Sequence, residues 1–391
     1  MRTQVGIVGG GPAGLLLSHL LHLEGIESVV LEARSRDHVI HRVRAGVLEQ
    51  ATVELLTETG LGERLAVDGL VHHGIELRWD GVSHRIPLTE LTERSIWIYG
   101  QQKVVEDLIA ARLAAHGTVL FEVESVSLEG IDGASPTLCY RHAGEALELV
   151  CDFVAGCDGF HGISRDAIPK PALRVFQSDY PFAWLGVLAD VAPSTDELIY
   201  AAHPRGFALH SLRSPTISRL YLQVAPDADV ADWPDARIWE ELRLRLAKDG
   251  FTLRDGPVLE KNVATMRSFV VEPMQHGRLF LAGDAAHIVP ATGAKGLNLA
   301  VHDVRILARA LARFYKTGST RLLEGYSDVC LKRAWRVQDF SSWMSTMLHR
   351  LPGSDGFFGR LQRARLDYVC HSEAGARTLA ENYVGLPHEL D

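Results

Sequence analysis

The chain has 391 residues, 47% of them apolar and 23% charged, with 40 basic and 49 acidic side chains giving a formal charge of −9. At ~150 residues per domain this predicts two or three domains, or one large α/β domain with an insertion. The composition excludes disordered and fibrous classes, and the acidic balance argues against a nucleic-acid partner. No uncharged apolar run reaches the ~18–20 residues that span a bilayer, so no membrane partner is expected. Gly9-Gly10-Gly11-Pro12 interrupts the apolar N-terminus, and Glu24 and Glu27 follow it, unlike a signal peptide. Cys139, Cys151, Cys157, Cys330 and Cys370 form no C-x-x-C pair and leave an odd count, which fits a reducing, cytoplasmic setting. The 18 histidines show no metal-ligand spacing, and no metal is expected.

In chain order, residues 3–9 read as a buried strand, followed by a glycine turn, a helix over 13–23, and a second buried strand over 28–32 closed by Glu32. Strand, turn, helix and strand within about thirty residues make a βαβ unit. Helices are predicted over 47–59 and 103–116. Between about 180 and 266 short alternating runs (183–191, 206–213, 219–224) predict an inserted antiparallel sheet, with a helix over 240–248. The α/β texture returns with a strand at 279–282 and a helix over 297–316. After Ser341 the tail reads as helical, broken at 352–356.

Gly9-x-Gly11-x-x-Gly14 follows a predicted strand and opens a helix, with Glu32 ending the next strand. Gly9 permits the tight turn, Gly11 lets a pyrophosphate approach the backbone, and Gly14 lets helix and strand pack closely. Unpaired N–H groups and the positive dipole end of the helix suit the phosphates. Glu32 suits ribose hydroxyls and repels a 2′-phosphate, so the ligand is FAD or NAD.

Two later motifs choose between them. Cys157-Asp158-Gly159-Phe160-His161-Gly162 and Gly283-Asp284-Ala285-Ala286-His287-Ile288-Val289-Pro290 each follow an apolar strand. With the first fingerprint they resemble the Asp-Gly and Gly-Asp motifs of the flavoprotein aromatic hydroxylases. The resemblance runs from Met1 to Leu390. It is most specific at 44–50, 155–165, 203–209, 267–278 and 381–387.

The resemblance implies a Rossmann-like FAD-binding domain (1–73, 98–179 and 267–344), a substrate sheet (74–97 and 180–266) and a helical C-terminal interface region (345–391). It implies FAD contacts at Glu32, Arg44, Gln102, Asp158, Arg219, Asp284 and Asn298, with Asp284 on the ribityl chain. The segment 292–298 would set backbone N–H groups of Lys295, Gly296 and Leu297 against the flavin's pyrimidine edge, where Lys295 also offers positive charge.

In the inserted sheet a five-residue connection would pair Arg213 with Arg219 and Ser211 with Tyr221, placing all four on one face. A four-residue loop would split the arginines. Facing arginines repel unless an anion lies near them, the alternative being a solvated face. The resemblance assigns Ser211, Arg213 and Tyr221 to an aromatic carboxylate, and Tyr200, Tyr383 and His72 to a chain carrying a phenolic proton to solvent. His72, with a nominal pKa of ~6.5, suits the outer end. The family's Val-Pro-Pro-Thr-Gly loop reads Val289-Pro290-Ala291-Thr292-Gly293 here, so Ala291 replaces the proline whose carbonyl lies near the para substituent. This leaves loop stiffness and the accepted para group open.

One dinucleotide fingerprint leaves the nicotinamide donor a transient groove. The resemblance locates it at His161, Arg267, Arg44 and the segment with Arg34 and His38, which fits NADPH or NADH. The implied reaction is 3-hydroxylation of 4-hydroxybenzoate to 3,4-dihydroxybenzoate with NAD(P)H and O₂, through a flavin C4a-hydroperoxide, in a homodimer. The alternatives are hydroxylation of a related para-substituted benzoate, 4-aminobenzoate or a dihydroxybenzoate, and a non-catalytic flavin-binding sensor.

Overall fold

The computed structural model describes residues 1–42 and 46–386. Its first sheet is centred on the strand Arg2–Val8, which runs parallel to Ser28–Leu31 on one side and Glu145–Gly156 on the other. Leu279–Leu281 continues the parallel order beyond Glu145–Gly156, and Thr118–Leu120 closes the other edge. Residues 5 to 8 and the whole of Ser28–Leu31 are buried, as expected for strands covered on both faces. The long strand Glu145–Gly156 also pairs antiparallel with Thr137–His142, which pairs with Glu124–Glu129.

Three adjacent parallel strands therefore end at the same edge, and each runs into one of the three motifs. Arg2–Val8 leads to Gly9, Glu145–Gly156 to Cys157-Asp158, and Leu279–Leu281 to Gly283-Asp284. Carboxyl ends of parallel strands are where open α/β sheets bind ligands.

The second sheet has eight strands, in the order His287–Ile288, Val258–Glu272, Arg174–Ala189, Ser218–Val224, Ala208–Leu212, Leu198–Ala202, Ile75–Trp79 and Val82–Ile86. Its alternating side chains serve two cores. One face (Leu185, Val187, Leu220, Leu222) packs under the helix Asp235–Arg245 with Trp233 and Trp239. The other (Phe182, Trp184, Tyr200, Leu209) packs under Tyr326–Leu348, Phe357–His371 and Glu373–Val384.

Two predicted elements change. The helix expected over 47–59 begins as the strand Val47–Glu49, which pairs with Ile96–Ile98 in a three-stranded sheet with Leu70–His72, and continues as the helix Gln50–Glu58. Buried Leu48 finds its neighbours across strands, which helical periodicity alone cannot report. The helix expected over 240–248 spans Asp235–Arg245, entered from Pro234, whose fixed φ suits a helix entrance.

Three histidines lie within these cores, His72, His210 and His349, each no more than 1% exposed. Burial pushes His72 and His210 down to about 4 and His349 down to about 3. The unfolded chain holds protons on these rings below about pH 6.5 that the folded chain refuses, so stability falls with acidification from there towards pH 4. Urea unfolding between pH 7 and pH 4.5 is expected to show a loss approaching about 1.4 kcal/mol per pH unit for each ring. The slope becomes shallower in His210→Asn, and an unchanged slope in that variant contradicts the assignment.

Candidate active site

The cofactor cradle is built from backbone. A Cβ at Gly9 would lie 2.4 Å from the Cys157 carbonyl oxygen and 2.8 Å from the Asp158 Cα, so the first two motifs touch. One at Gly283 would lie 3.2 Å from the Ala300 Cβ and 3.6 Å from the Ala13 Cβ, which brings the third motif onto the starts of both helices. Gly14 packs so closely that a Cβ would reach 2.0 Å from the Gly9 carbonyl oxygen. Gly11 and Gly296 differ, because a Cβ on either would meet nothing within 4 Å. These residues open the helices Pro12–Leu23 and Gly296–Thr317, whose first-turn N–H groups have no intrahelical acceptor. Two helix N-termini with open backbone are what an anionic dinucleotide needs.

Side chains complete the fit. Glu32 accepts from Gly10 N at 2.6 Å and from Arg34 N at 2.7 Å, which holds its carboxylate beside the glycine turn with lone pairs to spare for ribose hydroxyls. Asp158 Oδ2 accepts from Ser164 N and Oγ, while its buried Oδ1 has no hydrogen-bond partner among the described residues, and burial raises its pKa. Asp303, missed in the sequence, underpins the Gly-Asp turn by accepting from Gly283 N at 2.9 Å and pairing with His287 at 2.7 Å. Burial opposes charge on His287, but Asp303 outweighs it and raises the pKa. Asp284 is half-buried in that turn. The residues present fit FAD.

Two side chains expected near the flavin edge have partners within the protein. The Lys295 ammonium, 2% exposed, donates to Glu49 Oε1 at 2.8 Å and to the Tyr383 carbonyl at 2.6 Å, and Glu49 is also bound by Arg333 at 2.6 Å. Its charge is therefore paired with a buried carboxylate that also serves Arg333, and the ammonium is held away from the open start of the helix Gly296–Thr317. The Asn298 amide is likewise engaged. Its Oδ1 accepts from Glu49 N and Thr52 Oγ1, and its Nδ2 donates to Val47 and Ala294 carbonyls. Arg44 lies outside the described residues.

A cavity opens between the substrate sheet and this loop. Tyr200, Ser211, Arg213, Arg219, Tyr221 and Ala291 all line it, as do Trp184 and Leu209. The register differs by two residues from the expected one. Ser211 faces Arg219 and Leu209 faces Tyr221, with Arg213 N donating to the Ile217 carbonyl at the turn. The cause is a tight turn in which Ser214 Oγ accepts from Thr216 N and Ile217 N. A shift of two preserves side-chain parity, so Ser211, Arg213, Arg219 and Tyr221 still share one face.

Arg213 donates to Gln102 Oε1, so Gln102, expected as a cofactor contact, is engaged with an arginine of the cavity lining. Burial, with Arg219 nearby, lowers the Arg213 pKa. Arg219 reaches Tyr221 Oη at 3.3 Å and Asn262 at 3.5 Å. Tyr200 and Tyr383, each 1% exposed, share a 2.5 Å hydrogen bond, and burial raises both pKa values. His72 is not at the solvent end. It is buried, and among the described residues neither ring nitrogen has a hydrogen-bond partner, whereas its neighbour His73 is exposed and pairs with Thr89.

Near the surface, His161 and Arg267 each contact the Phe160 ring, His161 edge-on at 4.9 Å and the Arg267 guanidinium at 4.9 Å from its centroid. Arg34 and His38 lie on the exposed segment after Glu32, His38 in the short helix Arg36–His41. Trp184 went unassigned in the sequence. Its cavity position depends on the pairing of Trp184 with Gln223, a register that no local pattern encodes.

A family model described as FAD binding domain matches residues 2–341. The p-hydroxybenzoate hydroxylase of Acinetobacter baylyi is 48% identical over 392 residues, covering 100% of this chain and 97% of that protein. Among solved structures, p-nitrophenol 4-monooxygenase from Pseudomonas putida is similar with a TM-score of 0.84 at 21% identity, covering 99% of each chain. Aklavinone-11 hydroxylase, in a ternary complex with FAD and aklavinone, has a TM-score of 0.72 at 23% identity over 89% of this chain and 69% of that one. These two carry the fold. With its three glycine motifs on one sheet edge and this match over most of its length, the chain belongs to the FAD binding domain family.

Proposed function

We propose that this flavoprotein monooxygenase hydroxylates 4-hydroxybenzoate at C3 to 3,4-dihydroxybenzoate, using NAD(P)H and O₂. The observation that carries the reading is one cavity lined both by Ser211, Arg213 and Tyr221 and by Tyr200, the first member of a buried phenol pair. The 48% identity to a p-hydroxybenzoate hydroxylase supports it. Residues 1–73, 98–179 and 267–344 hold FAD in this reading, 74–97 and 180–266 hold the aromatic acid, and 345–391 closes the interface.

Bound FAD, reduced by the nicotinamide, supplies the electrons and the oxygen chemistry. The chain orients and deprotonates the substrate. The Arg213 guanidinium and the Ser211 and Tyr221 hydroxyls bind the carboxylate, a planar anion suited to a planar donor. Tyr200 Oη accepts the substrate's phenolic proton while its own passes to Tyr383 Oη. Burial keeps both tyrosines protonated, so the pair conducts a proton and stores no charge. Loss of that proton raises electron density at the ring carbon to be hydroxylated. In this reading the proton goes on to solvent by way of His72, whose buried ring is neutral at physiological pH and does not retain it. Leu198, Leu209 and Ile98 keep water from the reacting atoms. Glu32, Asp158, Asp284, Arg219 and the backbone at Gly9, Gly11, Gly14 and 295–298 hold FAD. Arg34, His38, Arg44, His161 and Arg267 meet the nicotinamide donor. The five cysteines, all free, support a cytoplasmic setting.

The reading is tested by steady-state oxidation of NADH and of NADPH with each acid, with the product identified. 4-Hydroxybenzoate is expected to accelerate flavin reduction well beyond benzoate and to yield 3,4-dihydroxybenzoate. Equal acceleration by benzoate removes the reading. Preference for 4-aminobenzoate points to a related hydroxylase, and bound flavin without oxidation points to a sensor. Tyr200→Phe should retain flavin reduction and lose about tenfold or more of product per nicotinamide oxidised, the scale of a lost proton-transfer group. Normal coupling in that variant sinks the relay.

We also infer a homodimer. The helix Phe357–His371 exposes Phe357 (73%), Phe358 (67%) and Tyr368 (58%), an apolar face that a second copy would cover. Light scattering should give twice the 43.0 kDa chain mass, and Phe358→Asp should halve it. A monomeric wild type refutes the inference.

A further inference from the structure

Trp184 forms one wall of the cavity, and a residue with no part in the proton path holds it from behind. His349 follows the helix Tyr326–Leu348 and is 0% exposed. Its ring stacks on Phe182 at 4.1 Å and 13° and lies 4.3 Å from Phe207. Both nitrogens are paired: Nδ1 donates to the Ser345 carbonyl at 2.9 Å, and Nε2 accepts the Trp184 indole N–H at 2.7 Å. An indole N–H only donates and a carbonyl only accepts, so these partners select the neutral Nδ1–H tautomer. The downward push on its pKa is consistent with that neutral ring.

The same turn of helix reaches a second part of the cavity lining, which serves as its other wall. Ser345 Oγ pairs with Thr292 Oγ1 at 2.8 Å, in the turn Ala291–Gly293 whose first residue lines the cavity with Trp184. On the other side, Gln223 accepts from Arg350 N at 2.9 Å and donates to the Arg350 carbonyl at 2.7 Å, which ties the residue after His349 to the substrate sheet. One hydrogen-bonded path thus runs from Thr292 through Ser345 and His349 to Trp184. A phenylalanine or leucine at 349 would fill the same space, but only a side chain with a donor and an acceptor at opposite ends completes the path.

We propose that His349 is a positioning residue for the aromatic substrate, locking the Trp184 indole in fixed orientation to the Ala291–Gly293 turn so that the ring is set between the two walls. The proposal rests on the hydroxylase reading above.

The test uses holoenzyme and 4-hydroxybenzoate, measuring KM, kcat and product per nicotinamide oxidised for His349→Gln, His349→Leu, Trp184→Phe and the Trp184→Phe/His349→Leu double variant. His349→Leu should raise KM by about tenfold and lower product per nicotinamide by about threefold while nicotinamide oxidation continues, because a misplaced ring loses coupling before turnover. His349→Gln keeps an acceptor for the indole and should stay within about threefold of wild type in KM. In the Trp184→Phe background, adding His349→Leu should change KM by less than about twofold, because the interaction is already gone. Equal damage from Gln and Leu, wild-type behaviour of Leu, or its full effect in the Trp184→Phe background each overturns the proposal. If His349→Leu does not hold FAD, His349→Met takes its place with the same expectations. A wild type that does not hydroxylate 4-hydroxybenzoate instead removes the reading on which the proposal stands.

Discussion

Two guanidinium groups on one face of a largely buried sheet are the constraint around which this molecule is arranged. Moving a charge out of water is costly unless partners meet it, and Arg219 is 9% exposed while Arg213 is lowered in pKa by burial. Their close hydrogen-bond partners include neutral groups: Gln102 for Arg213, and Tyr221 and Asn262 for Arg219, with Glu260 at 3.8 Å. Amides and phenols satisfy donors without cancelling charge. Two guanidinium groups thus stand on the cavity lining, which suits a ligand that brings its own negative charge. A protein with a formal charge of −9 can bind an anion in this way because the sign that matters is local.

At the strand Val47–Glu49 two cations share one buried carboxylate. Lys295 and Arg333 converge on Glu49, and Lys295 also holds the Tyr383 carbonyl. Gly385 passes so close that a Cβ there would lie 2.1 Å from Glu49 Oε2, in a backbone conformation with φ of +81°. Four distant parts of the chain meet at this carboxylate: the strand Val47–Glu49, the start of the helix Gly296–Thr317, the helix Tyr326–Leu348 through Arg333, and the end of the helix Glu373–Val384. These buried contacts fix the end of the helix Glu373–Val384, which carries Tyr383, to the start of the helix Gly296–Thr317.

What could be read from the chain divides along the same physical line. The three glycine motifs, the βαβ unit and the shared face of Ser211, Arg213, Arg219 and Tyr221 follow from short-range spacing. Parity survived even though the register moved by two, because the side-chain period is two. Features set by distant partners were not legible. Lys295 reads as a free cation until Glu49, 246 residues away, is beside it. His72 reads as a surface residue beside exposed His73 until the strand Leu70–His72 pairs with Ile96–Ile98. Val47–Glu49 reads as helical until the same partner strand is present. The hairpin register turned on Ser214 acting as a side-chain acceptor within its own turn, a choice that competes with a longer loop and leaves no trace in apolar periodicity.

The loop at Ala291 shows how distant contacts substitute for local stiffness. A second proline would restrict the backbone at that position through its own ring. With alanine, the turn is held from outside. The Ala294 N–H closes on the Ala291 carbonyl at 2.9 Å, Thr292 pairs with Ser345, and Gln338 Nε2 donates to the Ile288 carbonyl at 2.6 Å. Gly293 lies so near the same helix that a Cβ would reach 2.8 Å from Ser341 Oγ. The direction of the Ala291 carbonyl is thus set by the helix Tyr326–Leu348 and by Pro290, which keeps φ at −53°. Because His349, which follows that helix, also holds Trp184, one element seats two parts of the cavity lining, and the proline missing at 291 is made good from outside the loop.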